Sequence, residues 1–374
     1  MTDGRKERQL NYEVLRIIAM LMIVCLHYLS RSGLLGNPAR PDMAAADYAV
    51  WLAEAFCIVA VNVYVLISGY FGACAPGDTA PITAETVIKR PLRIWRTAFF
   101  YSVVIGGIAF LAGGWEFDIY RVFTYVFPVV TEHYWFVTSY IILCLFMPFL
   151  NAGVARLDRR GLYALILGML VVFSIAKTVI PMQLPWDKYG YDAYWFVTLY
   201  LTGAALRRYG APFLQKRGRA AAVYPVSVLL IFASLVGLRA VFLRTGRLEA
   251  MIHYAYTYNH LLCYTGAIGL FLAFSQREEG GARLERFRKP IELFSGATFG
   301  VYLLHEHLDV RERWTTWFPG DAAQGGSVSG VLLRMLGVVL GMYLGCSAIE
   351  ILRAGLVRVI RRGRARGDGR KERG

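Results

Sequence analysis

The chain has 374 residues, of which 56% are hydrophobic and 14% aromatic, and its mean hydropathy is +0.44. So much apolar surface excludes an ordinary soluble enzyme. The formal charge of +15 comes from basic residues spread between apolar runs rather than gathered on one stripe, which excludes nucleic acid as a partner.

Apolar runs of about 20 residues are the signature of membrane spans. They fall at 10–29, 50–70, 91–113, 133–151, 162–180, 193–207, 221–243, 258–275, 292–309 and 329–352. This predicts an all-α polytopic membrane protein with about ten transmembrane helices. One transmembrane domain would occupy 1–352, and a basic tail would occupy 353–374. The stretch 119–131 is weaker and reads as interfacial or re-entrant. The first run has polar flanks and no small-residue cleavage site, so it is not a removable signal peptide. With the N-terminus inside, the inner connections hold 29 Lys and Arg and the outer ones hold 8. The positive-inside rule then makes both termini cytoplasmic, and the tail is suited to the anionic inner leaflet. The six cysteines show no CxxC and no paired spacing in an outer loop, so neither a disulfide framework nor a metal site is expected.

Leu10 to Leu29 carries Arg16 and His27 inside an otherwise apolar helix. Eleven residues at about 100° each return His27 to within roughly 20° of the Arg16 face, roughly 16 Å further along the axis. Glu13 lies one turn before Arg16 near the same stripe. Ionisable groups at membrane depth are costly and usually face a protein interior or a watery cavity, so this face reads as the wall of a reaction pathway.

On the predicted topology all six histidines lie toward the outer side, and aromatic residues gather there as well. Tyr134 to Tyr140 and Tyr194 to Tyr200 differ at one position only and open two helices that run inward. Interfacial belts of this kind suit lipid headgroups and carbohydrate faces alike. The opposite sign of chemistry lies inside. Lys89, Arg90, Arg93 and Arg96 surround Pro91, which is expected in the first turn of the third helix, and Arg90 and Arg93 are candidate phosphate ligands. Glu54 and Glu306 sit at a depth where either would orient His27. With His133, Trp135 and His305 they form the acceptor-side set of candidates.

These motifs together resemble the integral-membrane acyltransferase type 3 family along most of the chain. Its opening acid, arginine and histidine appear as Glu13, Arg16 and His27. Its Ser-Gly pattern appears in Val61 to Phe71, with Asn62 where many relatives have Asp. The Arg-x-x-Arg pair is similar to Arg90 and Arg93, the later aromatic motif to His133-Tyr134-Trp135-Phe136, and the closing Tyr-Leu-x-His to Tyr302-Leu303-Leu304-His305. Glu306 replaces a frequent Pro. The resemblance implies ten helices in a bacterial cytoplasmic (inner) membrane. It also implies acyl-CoA as a cytosolic co-substrate, no tightly bound cofactor, and a glycan or cell-envelope acceptor outside. By that likeness His27 is the catalytic histidine, Arg16 shares its site, and Arg90 with Arg93 handle the donor. Lipid is the surrounding partner, and a homo-oligomer is possible.

The activity expected is O-acyl transfer, acetyl first among acyl groups, with His27 as a general base or a transient acyl carrier. A transporter of a small molecule such as an amino acid is the rival reading, and Asn62, Ser68 and Lys177 within helices would serve it. A transporter needs no coenzyme site, so Arg90 and Arg93 discriminate between the two.

Overall fold

A computed structural model describes residues 9–73, 81–180, 185, 187–211, 214, 217–276, 282–317 and 327–371. Every regular element among these residues is helical. The principal helices are α1 (Leu10–Arg31), α2 (Ala45–Gly72), α3 (Ala84–Leu111), α4 (Ile119–Val126) and α5 (Trp135–Arg156). They continue as α6 (Arg159–Val179), α7 (Ala193–Tyr209), α8 (Arg217–Thr245), α9 (Leu261–Ser275), α10 (Arg288–His305) and α11 (Val328–Lys371). Seven are long and apolar enough to cross a membrane: α1, α2, α3, α5, α6, α8 and α11. The other three helices at expected spans, α7, α9 and α10, have 17, 15 and 18 residues. Only α9 falls below the roughly 17 residues that a span needs. Helix α4 has eight residues and is too short to cross. The last helix runs unbroken past residue 352, so that boundary marks a change of composition and not of structure.

Burial sorts the helices into centre and rim. In the most apolar window of α2, 78% of residues are buried, against 22% for α6 and 28% for α3 and α8. Helix α1 packs against α2, α9, α10 and α11, which makes it a central post. Leu333, Leu336, Leu340 and Leu344 on α11 and Leu229 and Leu230 on α8 are exposed, as expected of an outer ring facing lipid. The five described cysteines are free and buried, while Cys74 lies outside the described residues.

Two glycines explain how tightly α2 meets α7. A Cβ at Gly69 would lie 2.1 Å from the Tyr200 carbonyl oxygen, and one at Gly203 would lie 2.4 Å from that of Leu66. The glycine of the Ser-Gly pattern is therefore required by backbone-to-backbone approach, as in other small-residue helix crossings. Helix α2 is itself interrupted at Ile58 and Val59. Side chains satisfy carbonyls around the break: Cys263 donates to Ile58 at 3.5 Å and Tyr224 to Phe56 at 2.7 Å. In α6 a π-helical turn spans Val171–Ile175 and the Phe173 carbonyl there accepts from Asn259 at 3.0 Å.

One helix start is corrected. Helix α3 begins at Ala84 and not at Pro91, because Thr83 and Thr86 form a reciprocal capping box two turns earlier. Arg90, Arg93 and Arg96 therefore lie well inside the helix, beyond reach of its free N–H groups, and any anion they hold is held by guanidinium groups.

Candidate active site

His27 sits on the last full turn of α1 and meets the C-terminal end of α10. Its Nδ1 lies 2.9 Å from His305 Nε2 and 3.0 Å from Glu306 Oε1. His305 Nδ1 lies 2.6 Å from the Val301 carbonyl oxygen one turn back. A carbonyl only accepts, so His305 carries its proton on Nδ1 and, when neutral, has its lone pair on Nε2. His27 must then donate from Nδ1 toward His305 and Glu306. The hydrogen-bond network thus leaves neutral His27 with an unprotonated Nε2, the atom a base or nucleophile needs. Glu306 is held from the other side by Arg31, whose two terminal nitrogens grip both carboxylate oxygens, the second at 2.8 Å. Arg31 follows His27 by one helical turn, so one stripe of α1 supplies both groups.

A cavity of about 230 Å³ runs from His27 to Arg90 and Arg93. Met20, Ile23 and His27 give its α1 wall, which is about 10 Å long at 1.5 Å per residue. Ser68, Tyr140, Trp135 and Tyr302 line it from α2, α5 and α10. At its far end the Arg90 guanidinium donates to the Tyr140 hydroxyl, which in turn shares a 2.8 Å hydrogen bond with Ser68 Oγ. Arg90 also borders two further cavities. One of about 640 Å³ is walled by Lys89, Arg93 and Arg96, so a basic cleft shares Arg90 and Arg93 with the largely apolar bore. The three arginines do share a face, as their spacing predicts.

Arg16 is arranged differently. It ion-pairs with Glu13 at 2.7 Å, and Glu13 takes a further bond from Ser295 Oγ at 2.5 Å. Neither Glu13 nor Arg16 is among the residues lining the bore. The Tyr64 hydroxyl, which does line it, donates to the Arg16 carbonyl at 2.6 Å. The pair therefore braces α1 against α10 beside the pathway.

His133 is buried with both ring nitrogens engaged: Ser102 Oγ lies 3.0 Å from Nδ1, and Leu308 N–H donates to Nε2 at 3.2 Å. His307 Nε2 meets the Ser102 carbonyl at 3.0 Å, and Asp309 is gripped by Arg121 and by the Tyr125 hydroxyl. This second cluster secures the turn that carries Glu306 and leaves His133 no free valence for a ligand. Glu54 makes no bond with His27, and Glu306 takes that place. Lys177 is paired with Asp187 at 2.5 Å beneath the Tyr189 ring, away from the bore. Asn62 bridges Tyr258 and Trp195, donating at 2.7 Å and accepting at 3.0 Å. The donated bond requires an amide here, where a carboxylate could not serve.

Arg31, Tyr140, Ser68 and the Val301 carbonyl complete the site, although the motifs alone do not assign them to it. The i,i+4 spacing of His27 and Arg31 was a usable signal; the others require tertiary contacts. His27, His305 and Glu306 also bring three ligand atoms within 4.8 Å of one another, a set that sequence spacing does not suggest. The Arg31 guanidinium occupies the carboxylate and places a positive charge where a divalent ion would sit, so these residues fit a metal poorly.

The fold and site define a polytopic helical membrane protein with a histidine–carboxylate centre joined to an arginine cleft. Residues 9–350 match the family model described as an acyltransferase domain, and the chain belongs to the membrane acyltransferase type 3 family. No curated protein and no solved structure matches the chain.

Proposed function

We propose that the protein moves an acyl group, acetyl in the first instance, from cytosolic acyl-CoA to a hydroxyl of an extracytoplasmic glycan or other cell-envelope acceptor. It would act in a bacterial cytoplasmic membrane, with ten spans and both termini in the cytoplasm. The observation that carries this reading is that His27, Arg90 and Arg93 line one continuous cavity. The basic cleft suits the phosphates of the coenzyme, and the narrow carbon-lined bore suits its slender arm.

In this mechanism His27 Nε2 accepts the proton of the acceptor hydroxyl as its oxygen attacks the thioester carbon. The C–S bond then breaks, and the imidazolium returns the proton to the departing thiolate. Glu306, His305 and Arg31 fix the ring, and the carboxylate stabilises the imidazolium once it forms. The same nitrogen serves direct attack on the thioester, with a transient acyl-histidine resolved by the acceptor. Trapping labelled acyl-enzyme in the absence of acceptor separates the two routes. The transporter reading loses Asn62 and Lys177, both consumed by internal bonds.

The test is donor binding. Arg90→Ala and Arg93→Ala should weaken acyl-CoA binding, each lost charged hydrogen bond being worth about 1.5–3 kcal/mol, or roughly 10- to 150-fold. Binding of labelled acyl-CoA that is indifferent to both changes overturns the assignment.

A further inference from the structure

Three cavities converge on Arg90, and their walls differ in chemistry. The bore toward His27 is lined mostly by carbon, and the cleft beside it is lined by Lys89, Arg93 and Arg96. The third, of about 270 Å³, takes no part in the chemistry at His27. It lies between the start of α3 and the second half of α5, with Gly72 of α2 and Tyr200 of α7 in its wall. Among the described residues Arg90 is its one charged wall. That guanidinium is turned to Met147 Sδ, at 3.3 Å, and to the Tyr140 hydroxyl, so a further phosphate would find little to hold it there.

What this cavity offers is carbon and an amide. Ile82, Met147 and Pro148 give it apolar walls, and a thioether is a good neighbour for an aromatic ring. Asn151 donates to the Gly72 carbonyl at 2.8 Å and accepts from the Tyr200 hydroxyl at 2.8 Å. The Gly72 carbonyl can only accept, so the amide is fixed in orientation, with one N–H and one lone pair to spare. Pro148 has no N–H for the Cys144 carbonyl one turn earlier on α5, which releases a backbone acceptor in the same wall. An amide that can still donate once and accept once matches the edge of adenine, where the amino group donates and the neighbouring ring nitrogen accepts. Guanine presents two acceptors at that edge and would leave the Asn151 oxygen unanswered. The second amino hydrogen suits the Cys144 carbonyl. Pockets for drug-sized molecules hold roughly 300–1,000 Å³, so this one takes a single ring system and not a whole coenzyme.

Resting on the acyl-CoA reading, we infer that this cavity is the adenine site of the donor. The coenzyme bends at Arg90, with its phosphates in the basic cleft, its arm in the bore and its base between α3 and α5, where Asn151 reads it. The consequence is a choice of donor class: a thioester on a free adenine nucleotide coenzyme is preferred to the same thioester on a bare phosphopantetheine arm, the form that a carrier protein presents.

The experiment uses the full chain purified in detergent and displacement of labelled acetyl-CoA. The probes are coenzyme A, etheno-coenzyme A and phosphopantetheine. The etheno bridge removes the amino hydrogens of the base and keeps every phosphate, so it isolates the base. Coenzyme A should bind at least about 10-fold more tightly than its etheno analogue, in keeping with the loss of a two-point contact to adenine. Asn151→Ala should narrow that preference to within about 3-fold, and Ala152→Phe, which puts a ring into the cavity, should weaken coenzyme A about 10-fold. Phosphopantetheine affinity within about 2-fold of wild type shows that both variants are folded; where a variant loses it, the wild-type comparison of the two coenzymes decides. Equal affinity of wild type for coenzyme A and its etheno analogue, or a preference that neither variant moves, overturns the inference. Failure of the donor reading looks different: neither coenzyme A nor phosphopantetheine displaces the label, or displacement ignores Arg93→Ala.

Discussion

The chemistry proposed for His27 depends on which nitrogen holds the proton, and that choice is made by one backbone carbonyl. Val301 fixes His305, His305 and Glu306 fix His27, and Arg31 fixes Glu306. His27→Ala should lower acyl transfer by about 10²- to 10⁴-fold, the usual worth of a positioned base, while acyl-CoA binding persists; turnover at the wild-type rate in this variant removes His27 from the mechanism. His305→Leu leaves His27 with only the carboxylate to hold it, and the expected outcome is a lower kcat at an unchanged donor KM. Arg31→Met exposes a sharper contrast. It leaves Glu306 buried beside histidines without its counter-ion, a change that costs about 3–5 kcal/mol when a buried pair is broken. A drop in the thermal unfolding midpoint in detergent, together with loss of activity, is the result to look for.

At the scale of helices, much was legible in the chain. The long apolar runs correspond to the principal helices, and the outer ring of leucines on α11 follows from composition. The stripe from Glu13 to His27 was legible as well, but its division of labour was not. Arg16 turns to Glu13, and Glu13 is held in turn by Ser295, 282 positions away in the chain. The predicted topology puts His133 at the outer, acceptor side, yet its two nitrogens are spent on Ser102 and Leu308. The start of α3 was misread because Pro91 is a strong punctuation mark, whereas Thr83 and Thr86 form a weaker-looking pair that decides the register. Helix contacts also give a stability prediction. Gly203→Ala drives a methyl into the backbone of α2, 2.4 Å from Leu66 O and 2.8 Å from Tyr70 N, so overpacking should cost at least about 1–3 kcal/mol. Gly237→Ala, where nothing lies within 4 Å, is the matched control and should leave the unfolding midpoint within experimental scatter.

For the whole molecule, the question is where each substrate stands. The reading places the coenzyme head at the Arg90 end and the acceptor at the His27 end, with the acyl group alone crossing between them. Sealed vesicles of known orientation should form product only with acyl-CoA on the cytoplasmic side and acceptor opposite. If reaction requires both on one side, passage of the acyl group through the bore is wrong, even with acyl transfer intact.

The contact between His27 and His305 joins residues 278 positions apart, the first helix to the tenth. A ribosome adding about 5–20 residues each second needs roughly 15–55 s to travel that far. Throughout that interval the nascent α1 offers an imidazole and a guanidinium to a hydrocarbon environment before Ser295, His305 and Glu306 have been made. The newborn helix must therefore wait under the shelter of the insertion machinery, or ride high with its polar end in the headgroups, until α10 arrives. On the acyl-transfer reading, the His27 nitrogen proposed for the chemistry is oriented only then, so an unfinished chain should be inert.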